Sequence, residues 1–216
     1  MKHEIYCIWS GTNPMPPRRL ECFKKLARTT RCKITLITPD TLDKWILPEH
    51  PLHPAYQYLS DVHKADYLRC YLMHFYGGGY TDIKLQGGPW NQAFDDMDKY
   101  GWMINGYPVS YVGHATPLCK DVWYNVLATN AIICKPNTPF TNRWYKNIIE
   151  LLDKKLDELR KKPATHPYAQ AADGLGYPLE YIEPNADVFQ PITIEYADHV
   201  GRTLPEPNVD LNTYRF

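Results

Sequence analysis

The sequence predicts an α/β domain, a mixed central sheet flanked by helices, on three observations. A strand, a loop, a helix and a second strand open the chain in that order. A later helical pattern halts at a glycine triplet and gives way to an extended segment, and 216 residues suit one domain rather than two. His3 to Trp9 reads HEIYCIW, a run of branched and aromatic residues that Ser10-Gly11-Thr12-Asn13-Pro14 stops. Pro16-Pro17 opens a helical pattern through about Arg28, and Lys33 to Ile37 forms the second strand, closed by Thr38-Pro39-Asp40. Leu47 to Tyr58, rich in Pro and His, is expected to be irregular. Ser60 supplies an N-cap hydroxyl for a helix over Asp61 to Tyr76 that ends at Gly77-Gly78-Gly79, and Tyr80 to Leu85 is extended. A strand is expected at Gly101 to Asn105, then a loop holding Pro108 and Pro117, then an apolar strand over Asn130 to Lys135. Thr138-Pro139 caps the longest helix, which runs to about Lys162 with Phe140, Trp144, Ile148, Leu151, Leu152, Leu156 and Leu159 on one face and its charges on the other. After Gly174 the prolines are many and periodic apolar positions few, so loops with short strands are expected to wrap the sheet.

Composition narrows the function. Lys and Arg balance Asp and Glu at 24 each, so no long-range field draws in a polyanion, and nucleic acid is a poor partner. With 44% hydrophobic and 22% charged residues, the chain is an ordinary globule able to bury a core. No apolar run reaches the roughly 18 to 20 residues of a membrane span, and Met1-Lys2-His3-Glu4 lacks the apolar stretch of a signal peptide, so a cytoplasmic location is expected. The six cysteines form no C-x-x-C pair, which indicates neither a zinc knuckle nor a disulfide framework. The 17 Tyr, 6 Trp and 6 Phe suit either a site for planar or sugar ligands or a ring-rich core.

Chemistry concentrates in Lys64 to Lys84, KADYLRCYLMHFYGGGYTDIK. At about 100° per residue, Asp66 and Arg69 share one side of the helix, while Leu68, Leu72 and Phe75 gather on the other. One face is therefore expected to pack and the other to present charge. Taken alone, the pair is best explained as a surface ion pair contributing a few tenths of a kcal/mol. The sequel changes that reading. A glycine triplet permits positive φ and close approach of backbone to a ligand, and it delivers Tyr80 and Asp82 to the end of a strand, where open α/β sheets bind ligands. A carboxylate there can hold a divalent cation, which in turn neutralises a diphosphate leaving group.

Asp66, Arg69, Gly77-Gly78, Tyr80 and Asp82, with eleven positions from Arg69 to Tyr80, resemble the D-x-x-R and G-G-x-Y-x-D-x-D pattern of the sugar-binding region of DXD glycosyltransferases. That group includes capsular-polysaccharide synthesis proteins, Golgi-type initiating mannosyltransferases and glucosylating clostridial toxins. Ile8-Trp9-Ser10-Gly11 resembles the group's I-W-x-G element, and Asn130 to Asn137 is similar to its later strand and acceptor-side loop, so the likeness covers some two thirds of the chain. Members also occur as glycan-building domains of large algal viruses, a source that suits this compact chain. The resemblance implies a single GT-A-like domain, with a donor half over about residues 1–105 and an acceptor half over about 106–216. It implies Trp9 stacking on the base, with Ile8, Ser10 and Thr38 beside it. Asp66 and Arg69 would hold sugar hydroxyls, Tyr80 would pack beside the diphosphate, and Asp82 would contact ribose and the shell of a Mn²⁺ or Mg²⁺ ion. The implied partners are a UDP-sugar donor and a glycan or glycoprotein acceptor.

The sequence departs from the pattern at Lys84, where the second acid of D-x-D is expected. Two readings of Lys84 stand open. Its ammonium could lie against the diphosphate as a point charge, or Asp82 could hold the ion with water and phosphate; the bound ion is preferred. His199, in Asp198-His199-Val200-Gly201-Arg202, is the best candidate for a C-terminal metal or phosphate contact, with Asp210 and Asn212 as comparable choices. Asp173 is the nominee for a base if the reaction inverts, although retention is preferred, and Glu180 and Glu183 could also face the acceptor. His50, His53, His63 and His74 make no recognisable metal pattern and are expected in loop or surface roles. The triplet lacks the context of a dinucleotide or P-loop site, and no G-x-S-x-G elbow is present. The reading is a hexosyl or deoxyhexosyl transferase. Its alternatives are a non-catalytic sugar-binding module on the same fold and a nucleotidyltransferase.

Overall fold

Successive side chains of β1 (Glu4–Ile8) point to opposite sides of a sheet, and both sides are covered. In the computed structural model, which describes residues 1–208, Tyr6 and Ile8 join one buried cluster while Ile5 and Cys7 join two others on the far side. The rest of the domain follows in chain order as α1 (Pro17–Thr30), β2 (Lys33–Ile37), α2 (Asp61–Phe75), β3 (Gly78–Thr81), α3 (Asn91–Lys99), β4 (Ile104–Pro108), β5 (Leu127–Cys134), α4 (Pro139–Lys161), α5 (Ala186–Glu195) and β6 (Val200–Gly201), with short 3₁₀ turns between. α2, α4 and α5 pack on the face of Tyr6, Tyr80 and Ile132. α1 and α3 cover the other, on the face of Ile5, Cys7 and Ile133. The expected α/β architecture, a mixed sheet between helices, is what the chain forms.

Among the described residues the sheet has six strands, in the order β2-β1-β3-β5-β4-β6. β1 pairs in parallel with β2 and β3, β5 runs antiparallel to β3 and β4, and β6 is parallel to β4. Five strands therefore run one way and β5 against them. The carboxyl ends of β1, β2 and β3 lie together along one edge, and β1, where the strand order reverses, is the crevice at which open sheets bind ligands.

Local signals account for the boundaries. The Ser60 side chain accepts the His63 amide at the start of α2, and Thr138 forms a capping box with Thr141 ahead of Pro139 at the start of α4. Gly77 and Gly78 adopt φ of 64° and 88°. A Cβ on Gly77 would meet Pro136 at 2.5 Å, and one on Gly78 would meet the Glu4 carbonyl oxygen at 2.8 Å. The triplet therefore serves close approach of the chain to itself, at the amino end of β3, and not approach to a ligand as its sequence context suggests.

Other expectations need correction. β4 begins at Ile104 rather than Gly101, because Gly101 takes φ of 69° in the turn after α3. The tail contains a helix, α5, whose Phe189 ring lies 4.8 Å from that of Trp144. α2 does not present a charged face: Asp66 and Arg69 are 2% and 4% exposed, because they turn toward Tyr80 and Asp82 at the end of β3 and toward Asn185. Nor do all the histidines sit on the surface. His63 is buried against the Tyr177 hydroxyl at 2.9 Å, buried His74 stacks on Tyr145, and buried His53 faces Asp153. The six cysteines are free, all buried except half-buried Cys22 on α1. Among the described residues no helix is long and apolar enough to cross a membrane.

Gly78→Ala adds a methyl group at a left-handed position facing a carbonyl oxygen. It should lower stability by about 2 to 3 kcal/mol in urea unfolding, whereas a variant as stable as the parent would return the triplet to a ligand-binding role.

Candidate functional site

Two features meet at the carboxyl edge of β1, β2 and β3. The first is a pocket of about 180 Å³ at the tips of β1 and β2, lined by Ile8, Trp9, Ser10, Ile37, Thr38 and Pro39, with Tyr56, Lys64 and Leu68 closing it from the α2 side. β1 reaches it because the Trp9 amide continues the pairing to the Ile37 carbonyl at 2.9 Å. The Trp9 indole N–H donates to the Asn13 carbonyl at 2.8 Å, which orients the ring, and Ser10 Oγ donates to the Asp61 carbonyl at 2.5 Å, tying the strand tip to the start of α2. The structure thus gathers Ile8, Trp9, Ser10 and Thr38 around one small, ring-sized space.

The second is a polar network centred on the Arg69 guanidinium. Nη2 lies 2.9 Å from Asp66 Oδ1 and 3.5 Å from Asp82 Oδ1, and it donates to the Tyr80 hydroxyl at 3.3 Å. Nη1 donates to Asn185 Oδ1 at 2.9 Å, and the guanidinium carbon sits 4.4 Å over the Tyr80 ring. The Tyr80 hydroxyl donates to Asp82 Oδ1 at 2.9 Å, and Lys84 Nζ lies 3.0 Å from Asp82 Oδ2. Asp66, Arg69, Tyr80, Asp82 and Lys84 therefore converge, as their spacing suggests. Ile83, between the two ionic residues, is buried in the apolar cluster against which Trp9 packs, so the two strand tips are braced together, although no residue of the network lines the pocket.

One cation shapes two carboxylates differently. Burial drives the Asp66 carboxyl up to about 7, with Arg69 offsetting only part of the shift. Burial also pushes Asp82 upward, but Lys84, Arg69 and the Tyr80 hydroxyl outweigh it and hold that carboxyl at about 2. Burial foremost raises the Tyr80 hydroxyl well above its ordinary value. Asp66 Oδ2 and Arg69 Nε find no hydrogen-bond partner among the described residues. A buried polar atom left so costs about 1 to 3 kcal/mol.

The remaining candidates lie elsewhere. Asp173 Oδ2 accepts the Gln170 amide at 3.0 Å and faces His166 at 3.2 Å, an engagement within its own exposed turn. Glu183 accepts the Glu180 amide. His199 is exposed and precedes β6, and β6 runs parallel to β4 and so in the direction of β3; His199 therefore sits at the amino edge of the sheet, opposite Asp82. The two cannot share a cation. Arg202 donates to the carbonyls of Asn125 and Val200. Asp210 and Asn212 lie outside the described residues.

The donor set does not suit a divalent ion. Among the described residues no group of three His, Cys, Asp or Glu is placed to hold one. Both oxygens of Asp82 are already engaged, one by Lys84 and the other by Tyr80 and Arg69. At an effective dielectric of 20, an ammonium about 4 Å from a divalent ion opposes it by roughly 8 kcal/mol.

Sequence reasoning missed Asn185, which stands just ahead of α5 and 116 positions from the arginine it holds. It also missed Tyr56 and Lys64 in the pocket wall. An Asn after Pro184 is a helix-start signal, legible only once α5 is recognised.

No protein-family model matches the chain, and no curated protein matches it in sequence. Among solved structures, the PaToxG glycosyltransferase superposes with a TM-score of 0.53 at 14% identity, covering 90% of this chain and 69% of that one. The fold is GT-A-like. At this identity the likeness bears on architecture, a mixed sheet flanked by helices.

Between about pH 4 and pH 7 folded Asp66 holds a proton that the unfolded chain releases, so stability falls as pH rises through that window and levels off above it. Asp66→Asn removes this slope. Unfolding free energy in urea should fall by roughly 2 to 4 kcal/mol more for the parent than for the variant across the window; parallel curves would exclude a buried, proton-holding Asp66.

Proposed function

We propose that this chain is a glycosyltransferase that moves a hexose or deoxyhexose from a nucleoside diphosphate sugar, a UDP-sugar foremost, to a hydroxyl of a glycan or glycoprotein acceptor. The observation that carries the reading is the placement of the Trp9 pocket and the Arg69 network on one carboxyl edge of the sheet, with Asp66 Oδ2 and Arg69 Nε unpartnered within the network. The GT-A-like fold supports it, and so do the motif residues, which meet in space. In this reading Trp9 stacks on the base, with Ile8, Ser10 and Thr38 around it. Asp66 and Arg69 bind sugar hydroxyls, Tyr80 packs beside the diphosphate and Asp82 meets the ribose. Residues 1–105 furnish the donor side and residues 106–216 the acceptor side.

Glycosyl transfer turns on stabilising the charge of the departing diphosphate and orienting the acceptor hydroxyl. Arg69 and Lys84 are the cations at hand. Retention of configuration is the preferred outcome, because Asp173, the nominated base for inversion, is held by Gln170 and His166.

The test is thermal protection by UDP-, GDP- and dTDP-sugars, combined with release of the nucleoside diphosphate when acceptors are added. Protection without turnover over a broad acceptor panel favours a binding module. Consumption of nucleoside triphosphate with pyrophosphate release favours a nucleotidyltransferase, and protection by no nucleotide sinks the assignment.

Two substitutions probe the roles. Trp9→Ala should raise donor KM by roughly 10-fold with kcat little changed, within the ~1 to 3 kcal/mol that stacking on one base contributes. Asp82→Ala should abolish turnover and weaken donor binding, and unaltered kinetics would remove Asp82 from the site.

A further inference from the structure

A lysine two residues beyond a strand-end carboxylate can be an idle surface charge or a built part of the site. Here the turn that carries it is braced from every side. The Lys84 amide donates to the Asp82 carbonyl at 2.7 Å, and the Asp82 amide donates to the Asn130 carbonyl at 2.9 Å. Gln86 Nε2 donates to the Lys84 carbonyl at 3.2 Å and to Thr81 Oγ1 at 2.8 Å, while Arg19 Nη1 donates to the Ile83 carbonyl at 3.2 Å. The side chain is only 11% exposed, and its ammonium rests on Asp82 Oδ2. A cation is thus fixed, largely out of water, at the carboxyl edge of β3, against the one carboxylate that would otherwise begin a metal site.

We propose that Lys84 does the work of a divalent ion in this protein: its ammonium binds the donor's diphosphate directly, and nucleotide binding and transfer proceed without metal. The proposal rests on the glycosyl-transfer reading. When the bond from the sugar's anomeric carbon to the β-phosphate oxygen breaks, its electron pair stays on the diphosphate. The acceptor oxygen bonds to the anomeric carbon and its proton passes to the departing phosphate. Lys84 offsets the negative charge that accumulates on the diphosphate oxygens. An ammonium suits this as a compact point charge whose donors are short and can turn toward phosphate. Because the turn is held before the ligand arrives, little reorganisation is needed as charge develops.

Calorimetric titration with UDP, and in parallel with GDP and dTDP, in EDTA and then in Mn²⁺, tests this on the full chain. The parent should bind its nucleotide in EDTA with a Kd within about 3-fold of that in Mn²⁺. Lys84→Ala should weaken binding in EDTA by at least about 10-fold, and Lys84→Arg should stay within about 3-fold of the parent. Lys84→Asp, which restores the second acid, should bind only when Mn²⁺ is present. Circular dichroism establishes that each variant is folded; should Lys84→Ala fail to fold, the parent and Lys84→Arg titrations decide alone. A parent that needs Mn²⁺, or Lys84→Ala binding as tightly as the parent in EDTA, overturns the role of Lys84 and leaves glycosyl transfer standing. Binding of no nucleotide in either buffer overturns both.

Discussion

Removing a guanidinium from water is costly unless it is paired and hydrogen-bonded, and the carboxyl edge of this sheet is organised around engaging both terminal nitrogens of Arg69. Asp66 comes from one turn earlier on α2, Tyr80 and Asp82 from β3, and Asn185 from the start of α5. The arginine therefore joins two helices and a strand by the same contacts that set the geometry of the site. Losing one member of such a buried pair typically destabilises by 3 to 5 kcal/mol, so the constellation stands or falls together.

The two acids around that cation divide their tasks by what else they touch. Asp66 is deeply buried, with only the guanidinium in support and the Asp82 anion opposing, so its charge is poorly supported. Asp82 sees a second cation and a phenol, and stays ionised. A neutral carboxyl can both donate and accept, which fits a ligand rich in hydroxyls, while a fixed anion holds a neighbouring lysine in place. Position on adjoining elements, rather than residue type, creates the difference.

Much of this was legible in the chain. Ser60 and Thr138-Pro139 announce their helices, and Ile8-Trp9-Ser10 and the stretch from Asp66 to Lys84 mark residues that do converge. α5 is hidden because Pro191 interrupts it and because buried Gln190 and Thr193 break the apolar period. α3 begins after Trp90, which offers no capping side chain to betray it. The amphipathic reading of α2 fails because Asp66 and Arg69 turn toward the end of β3 and Asn185, so charged residues are enclosed as well. His199 misled because local sequence does not reveal which end of a strand faces the site; that depends on the direction of β6. The glycine triplet marks close approach, but only the fold tells what approaches.

The distribution of cysteine has a practical corollary. Thiol reactivity requires access and ionisation, and burial pushes the Cys7, Cys70 and Cys134 thiols upward while Cys22 alone is half-open to solvent. A water-soluble alkylating reagent thus meets one ready site in the native chain and the other five chiefly on opening. The number of modified sites, read by mass, would report the folded fraction of any variant without requiring a substrate.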